Sequence, residues 1–242
     1  MLTVLLAGTG TALVTGLGAI PVFLLGRRAE ALRPALFGVA GGVMAVASIV
    51  GLLRPALDRG PETAVAAGLV AGVLFLAVTR GLLQASDLHV GRLRGAAVRT
   101  AVLVFAVLFA HSLPEGLAVG TAYASDPGGI GLFVILAIAI QNIPEGTSIA
   151  IPMEASGFGR SQQFWAAVAT SAPQPIGAVI AFLAVEQITA LLPLSFAFAA
   201  GAMLALVAVE LAPQALAGGR RGVAGLAAGA ALMLGLSALL NV

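Results

Sequence analysis

The sequence contains no cysteine and no lysine, and charged residues make up only 9% of its 242 positions. Without cysteine, the chain forms no disulfide bond and offers no thiolate ligand to a metal ion. A soluble domain carries about a quarter charged residues, whereas 60% of this chain is hydrophobic. The composition therefore excludes a soluble globular protein and predicts a membrane protein.

Long apolar runs recur along the chain. A run of about twenty apolar residues crosses about 30 Å of hydrocarbon as an α-helix, and these runs lack the alternation of a membrane β-barrel. We therefore predict an all-α integral membrane protein in which residues 1–242 form a single transmembrane domain. The eight predicted spans are 2–25, 34–53, 64–83, 100–124, 129–152, 160–184, 188–213 and 222–241.

The positions of the twelve basic residues, all arginine, predict the orientation. They lie between the spans and form no shared patch, so we expect the lipid bilayer and no nucleic acid as a partner. With the N-terminus outside, ten arginines face the inside, against Arg54 and Arg59 outside. The positive-inside rule therefore predicts a multi-pass protein of the cell membrane with both termini outside.

Two pairs of segments suggest an internal repeat. TGLGAIPVFLL at 15–25 aligns with QPIGAVIAFLA at 174–184, and GGVMAVASIVGLLRPAL at 41–57 aligns with AGAMLALVAVELAPQAL at 200–216. Both alignments have the same offset of 159 residues. Spans 1–3 and 6–8 are therefore predicted copies, and the two spans between them invert the second copy. This 3+2+3 inverted repeat is typical of secondary transporters.

The two central spans carry matching polar motifs, HSLPEG beginning at His111 and QNIPEG beginning at Gln141. Residues four apart share one face of a helix, so His111 points with Glu115 and Gln141 points with Glu145. Each proline also leaves the carbonyl four residues earlier without its helical hydrogen bond. The pattern predicts two polar faces inside the bilayer, each with one carboxylate.

The two carboxylates are predicted to face each other. Gly128 and Gly129 mark a tight turn between the spans, about 13 residues after Glu115 and about 17 before Glu145, so both acids fall near mid-depth. Two unpaired carboxylates there would cost several kcal/mol, and a divalent cation offsets both charges. Imidazole nitrogen with carboxylate and amide oxygens suits Zn²⁺, Fe²⁺, Mn²⁺ or Cd²⁺.

These motifs resemble the paired fourth- and fifth-helix signatures of the ZIP family of divalent-metal transporters, and LLRPALD with Gln141 is similar to its prokaryotic GufA-like branch. The resemblance implies a carrier, not an enzyme and without a catalytic cofactor. It would move a divalent transition metal, Zn²⁺ first, into the cytoplasm by elevator-type alternating access. The oligomeric state stays open, with a homodimer among the alternatives.

The resemblance also implies a two-ion site. The ligands implied for the first ion are His111, Glu115, Gln141 and Glu145, and those for the second are Ser112, Asn142 and Gln174. Ser112 stands where the family has asparagine and Gln174 where it has glutamate, so we expect a degraded second site. Glu210 matches an acidic pathway position on the seventh helix, and its repeat partner is Gly51.

Other functions remain open at this point. The motif residues could be structural polar groups that bond neighbouring helices or freed carbonyls. An intramembrane zinc metalloenzyme could use His111 and Glu115, although His89, in the loop 84–99, is the only other histidine and no H-E-x-x-H pattern exists. A degenerate member that binds metal but transports weakly, or a selective channel, is a further alternative.

Overall fold

The computed structural model describes residues 1–85 and 96–242. Within these ranges the chain forms helices joined by short connections, and no strand occurs. The all-α prediction is thus confirmed for the part of the chain that is described. The predicted inner loop around Asp87 and His89 falls outside the described residues.

Twelve α-helices, with 3-10 and π-helical segments between some of them, make up the described residues. The α-helices are α1 Leu2–Leu17, α2 Ile20–Leu25, α3 Arg33–Val46, α4 Arg54–Arg59, α5 Glu62–Ala85, α6 Ala96–Ser125, α7 Ile130–Ala155, α8 Arg160–Thr170, α9 Pro173–Gln187, α10 Leu192–Leu206, α11 Ala212–Ala217 and α12 Arg220–Leu240.

Seven helical stretches of the described chain are long and apolar enough to cross a bilayer. The first, Leu2–Arg59, has 58 residues and contains predicted spans 1 and 2. A straight helix of that length would measure about 87 Å, almost three times the hydrocarbon thickness. It is interrupted at Gly26, whose φ of +53° favours glycine, and a 3-10 segment, Gly26–Leu32, follows. The chain is therefore a multi-pass α-helical membrane protein.

The central helices α6 and α7 pack against each other and against helices from both ends of the chain. Helix α7 contacts α1 and α3, whereas α6 contacts α9 and α10. Two further pairs, α3 with α12 and α5 with α10, join the first part of the chain to the last. The motif segments of both helices thus lie inside the helical bundle.

Close backbone contacts hold the central helices beside their neighbours. A Cβ atom added to Gly18 would lie 2.8 Å from the carbonyl carbon of Gly146 in α7. A Cβ atom added to Gly177 in α9 would lie 3.3 Å from the carbonyl carbon of Gly116 in α6. Gly116 and Gly146 directly follow the motif glutamates, so small residues at both places let a neighbouring backbone approach the acids.

Two π-helical segments interrupt helices at related positions. Ala47–Leu53 follows α3, and Val207–Leu211 follows α10. The 159-residue offset moves the first segment to 206–212, which overlaps the second. A π-turn adds a residue to the helical turn and is frequent at functional sites. The second segment contains Glu210, so the irregular turn determines where this side chain points.

Candidate metal site

The helices that carry the two motifs continue through their prolines. Pro114 lies inside α6, and Pro144 lies inside α7. The predicted turn at Gly128 and Gly129 joins them. Asp126 stabilises this turn, because its carboxylate accepts hydrogen bonds from the N–H groups of Gly128, Gly129 and Ile130 at 3.1 to 3.2 Å.

The two motif glutamates meet in the interior. Glu115 and Glu145 are only 1% and 4% exposed, and their carboxyl groups lie within hydrogen-bond reach of each other. The Nε2 group of Gln141 donates to Glu115 Oε1 at 2.6 Å, and that of Gln174 donates to Glu115 Oε2 at 2.7 Å. Buried carboxylates this close repel each other, so a proton or a cation between them stabilises the arrangement.

His111 and Gln141 each present a buried polar atom without a hydrogen-bond partner among the described residues. These atoms are Nδ1 of His111 and Oε1 of Gln141. Buried polar atoms in proteins almost always have partners. Both belong to side chains beside the carboxyl pair, and both atom types bind divalent transition metals. The residues present therefore fit a cation as the missing partner.

The described residues contain no group of three or more His, Cys, Asp or Glu side chains within reach of one ion. His111 lines one small cavity with Glu115 and a second with Glu145. The structure thus brings the four side chains implied for the first ion into one region, but the imidazole and both carboxylates do not surround a common point.

The residues implied for the second ion divide into two groups. Asn142 Nδ2 donates to Gln174 Oε1 at 3.1 Å, and Gln174 Nε2 donates back to Asn142 Oδ1 at 3.3 Å. The hydroxyl of Ser112 instead donates to the carbonyl of Leu108 in its own helix at 3.0 Å. The structure places Asn142 and Gln174 together, whereas the Ser112 hydroxyl bonds the backbone of its own helix.

Helix α1 also takes part in this network, although its sequence was not predicted to do so. Thr11 Oγ1 donates to Gln174 Oε1 at 2.8 Å, and the Thr11 carbonyl accepts from Asn142 Nδ2 at 2.8 Å. One turn later, the hydroxyls of Thr15 and Ser171 are 2.7 Å apart. The sequence did contain a sign of this polar contact. Thr11 and Thr15 are four residues apart on an apolar helix, so they share one face.

Glu210 lies farther along the same region. It lines a cavity of about 40 Å³ that also includes His111, Glu145, Arg33 and Gln214, and that we call the site cavity. His111 and Glu145 are buried, whereas Arg33 and Gln214 are partly exposed, so the site cavity leads from the carboxyl pair toward the helix ends. The repeat partner of Glu210, Gly51, packs against Phe133.

Comparison with known proteins gives consistent matches. The family model of the ZIP zinc transporters matches residues 81–238. The zinc transporter GufA of Myxococcus xanthus is 36% identical over 227 residues, covering 89% of this chain and 87% of that protein. The zinc transporter ZIPB of Bordetella bronchiseptica is 34% identical over 259 residues, covering 98% and 81%.

A third relative is much longer than this chain. A candidate zinc transporter of Arabidopsis thaliana is 35% identical over 219 residues, which are 88% of this chain but 34% of that protein. The family match covers both motif helices, and the bacterial matches extend over most of both sequences. The chain belongs to the ZIP zinc transporter family, which consists of transporters and not of enzymes.

Proposed function

We propose that this protein is a secondary carrier of divalent transition-metal ions, with Zn²⁺ as the main substrate, and that the ion binds between α6 and α7. The observation that carries the proposal is the buried carboxyl pair of Glu115 and Glu145. Two negative groups in contact inside the bilayer match a doubly positive ion. The names of the bacterial relatives favour zinc.

The proposed ligands of the first ion are His111, Glu115, Gln141 and Glu145. Rotation of the Gln141 amide would turn its unpartnered Oε1 toward the carboxyl pair and remove its Nε2 from Glu115. A movement of the His111 ring into the site cavity would add its Nδ1 atom. The open lone pairs on these two side chains support a ligand set that closes when the ion enters.

The proposed second site, formed by Ser112, Asn142 and Gln174, is weak. The Gln174 amide contributes no charge, and it already donates hydrogen bonds to Glu115 and Asn142. An ion at this place would have to displace a donor without gaining a carboxylate. We therefore propose one strong ion site for each chain.

The proposed architecture has eight spans in a 3+2+3 inverted repeat. It requires spans 1 and 2 to separate within Leu2–Arg59, and the interruption at Gly26 is the natural place. Helix contacts support the repeat, because contacts in one half recur in the other. The contact of α7 with α1 corresponds to that of α6 with α9. The contact of α3 with α12 corresponds to that of α10 with α5. A group formed by α1, α6, α7 and α9 would then slide against the other spans.

The proposed direction is into the cytoplasm of a cell whose membrane contains the protein with both termini outside. The arginine distribution supports this orientation. An inside-negative potential favours entry by about 2.3 kcal/mol per charge for each 100 mV. No ATP-binding motif is required, because the potential and the metal gradient drive the flux.

The test is Zn²⁺ uptake into proteoliposomes by the variant Glu145→Gln. We expect its initial rate to fall by at least about 10- to 100-fold, because a charged ligand is lost and loss of even an outer-shell partner costs that much. The matched control is Glu186→Gln, which makes the same change at an exposed position of α9. Equal uptake by Glu145→Gln and Glu186→Gln would refute the proposed site.

A further inference from the structure

An ion pair stands at the accessible end of the site cavity. Arg80 Nη1 of α5 lies 3.4 Å from Oε2 of Glu210, and Glu210 lines the cavity. The two side chains are 34% and 24% exposed, so neither is fully hydrated. Charges partly withdrawn from water act on their neighbours more strongly than fully exposed charges. A cation in the site cavity is therefore sensitive to the net charge here.

Arginines are unfavourable neighbours for a divalent cation. Arg33 lines the accessible end of the cavity, where it pairs with Glu30 at 3.2 Å and lies over the ring of Phe37. Arg80 is close enough to act electrostatically on both Glu210 and His111. An unneutralised guanidinium this close to a proposed metal ligand would repel the ion along its path.

The local backbone does not require an acid at position 210. The π-helical segment Ala47–Leu53 forms at the related position of the first part of the chain, and it has Gly51 where the second segment has Glu210. The π-turn therefore forms without a carboxylate. The distinctive contact of Glu210 is its ion pair with Arg80, which links α5 to the segment after α10.

We propose that Glu210 neutralises Arg80 and holds it beside the site cavity, so that a divalent cation can pass, and that Glu210 is not itself a ligand of the ion. Glu210 is then a positioning residue that acts through Arg80. Its Oε2 atom faces a guanidinium, which competes with any cation for that oxygen. This inference rests on the proposed transport function, and it departs from the pathway role that the family resemblance implied for Glu210.

The first test compares Zn²⁺ uptake into proteoliposomes by Glu210→Gln, Arg80→Gln and the double variant. We expect Glu210→Gln to lose about tenfold in maximal rate, because Arg80 is left unneutralised. The double variant should recover to within about threefold of the wild type, because the repulsive charge is also gone. A double variant as slow as Glu210→Gln would overturn the proposal, and so would a Glu210→Gln variant as fast as the wild type.

The second test measures the local potential without metal transport. The chain has no cysteine, so Gln214→Cys places a single thiol in the site cavity. We compare its modification by a cationic and an anionic methanethiosulfonate reagent. Glu210→Gln should lower the ratio of cationic to anionic rate constants by about tenfold, and adding Arg80→Gln should restore it.

This ratio separates the two proposals. A purely structural role for Glu210 would change both modification rates together and leave the ratio constant, which would overturn the inference. If Glu145→Gln transports as well as its control, the proposed function fails, but the ratio still decides whether Glu210 neutralises Arg80. Each variant is first checked for monodisperse elution in detergent, which confirms that it has folded.

Discussion

Both oxygens of Glu115 are held by amides that come from other helices. Gln141 is in α7, and Gln174 is in α9. Gln174 also shares its oxygen with Thr11 and Asn142. This amide therefore links three helices around one acid, at the place where we propose the weak second site.

At the residue scale, Gln174→Glu should restore a second ion site. The new carboxylate adds a charged ligand beside Asn142, so we expect bound Zn²⁺ to rise from about one to about two ions per chain. Isothermal titration in detergent measures this ratio. The control is Gln187→Glu, the same change at an exposed position at the end of α9. An unchanged ratio in Gln174→Glu would contradict the degraded second site.

The convergence of the acids could be predicted from the sequence, but the network around them could not. Helical periodicity and one tight turn are local rules, and together they place Glu115 opposite Glu145. The contact of Thr11 with Gln174 joins residues 163 positions apart. A threonine in an apolar helix can bond its own backbone, and Thr11 does so, at the carbonyl of Gly8. Only the packing of α1 reveals its second partner.

At the element scale, the contact between α1 and α9 depends on a glycine. A Cβ atom added to Gly8 would lie 2.7 Å from Cα of Pro175. One added to Gly10 would have no neighbour within 4 Å among the described residues beyond its own helical turn. We expect Gly8→Ala to destabilise the protein by about 1–3 kcal/mol, because tight packing leaves no room for the methyl group. Gly10→Ala should be neutral or slightly stabilising. Thermal unfolding in detergent compares the two, and equal midpoints would contradict the packing.

The turn before α7 should make stability depend on pH. Hydrogen bonds, first from the N–H of Gly129, hold the pKa of Asp126 below its usual value. A carboxyl group with a lowered pKa in the folded state contributes stability above its unfolded pKa, and this is lost as pH falls through the folded pKa. Asp126→Ala should therefore cost less than about 1 kcal/mol at neutral pH, because solvent screens this largely exposed carboxylate, and less still in acid solution.

Thermal unfolding over a pH series checks this prediction. The control is Asp58→Ala, at an exposed position in α4. A cost for Asp126→Ala that stays constant from neutral to acid pH would show that the carboxylate does not stabilise the turn through its charge.

Local sequence patterns predict the long helical stretches but not the irregular segments within them. The apolar runs predicted six of the seven long helical stretches of the described chain to within about four residues, because hydrophobic length alone selects them. They did not predict the π-helical segments Ala47–Leu53 and Val207–Leu211, since no residue type signals a π-turn. The sequence also did not predict the 3-10 segment Gly26–Leu32, which begins at a glycine with positive φ.

At the scale of the whole molecule, the number of spans determines whether the two ends of the sequence share a side. The absence of native cysteine permits labelling of single thiols at Leu2→Cys, Asn241→Cys and Arg221→Cys. With eight spans, we expect a membrane-impermeant maleimide to label the first two from outside intact cells. Arg221→Cys should react only after permeabilisation.

Labelling of Leu2→Cys and Asn241→Cys from opposite sides would contradict the eight-span architecture and would fit seven crossings instead. The seven helical stretches do not decide this, because Leu2–Arg59 combines two predicted spans in one nearly continuous helical run. Composition predicted a membrane protein, and the positive-inside rule predicts its orientation. The number of spans depends on the interruption at Gly26.

The amide bonds to Glu115 have a consequence for ion selectivity. An ion that enters must remove charge-assisted hydrogen bonds, and not merely water, and each such bond stabilises by about 1.5–3 kcal/mol. A divalent ion gains about twice as much from the carboxyl pair at the same distance, but its dehydration also costs more. For a transition-metal ion, bonds to the proposed imidazole and amide ligands add to that gain, whereas Na⁺ and K⁺ bind such ligands weakly. We therefore expect Na⁺ and K⁺ to be rejected because they gain too little from this ligand set to offset the lost hydrogen bonds.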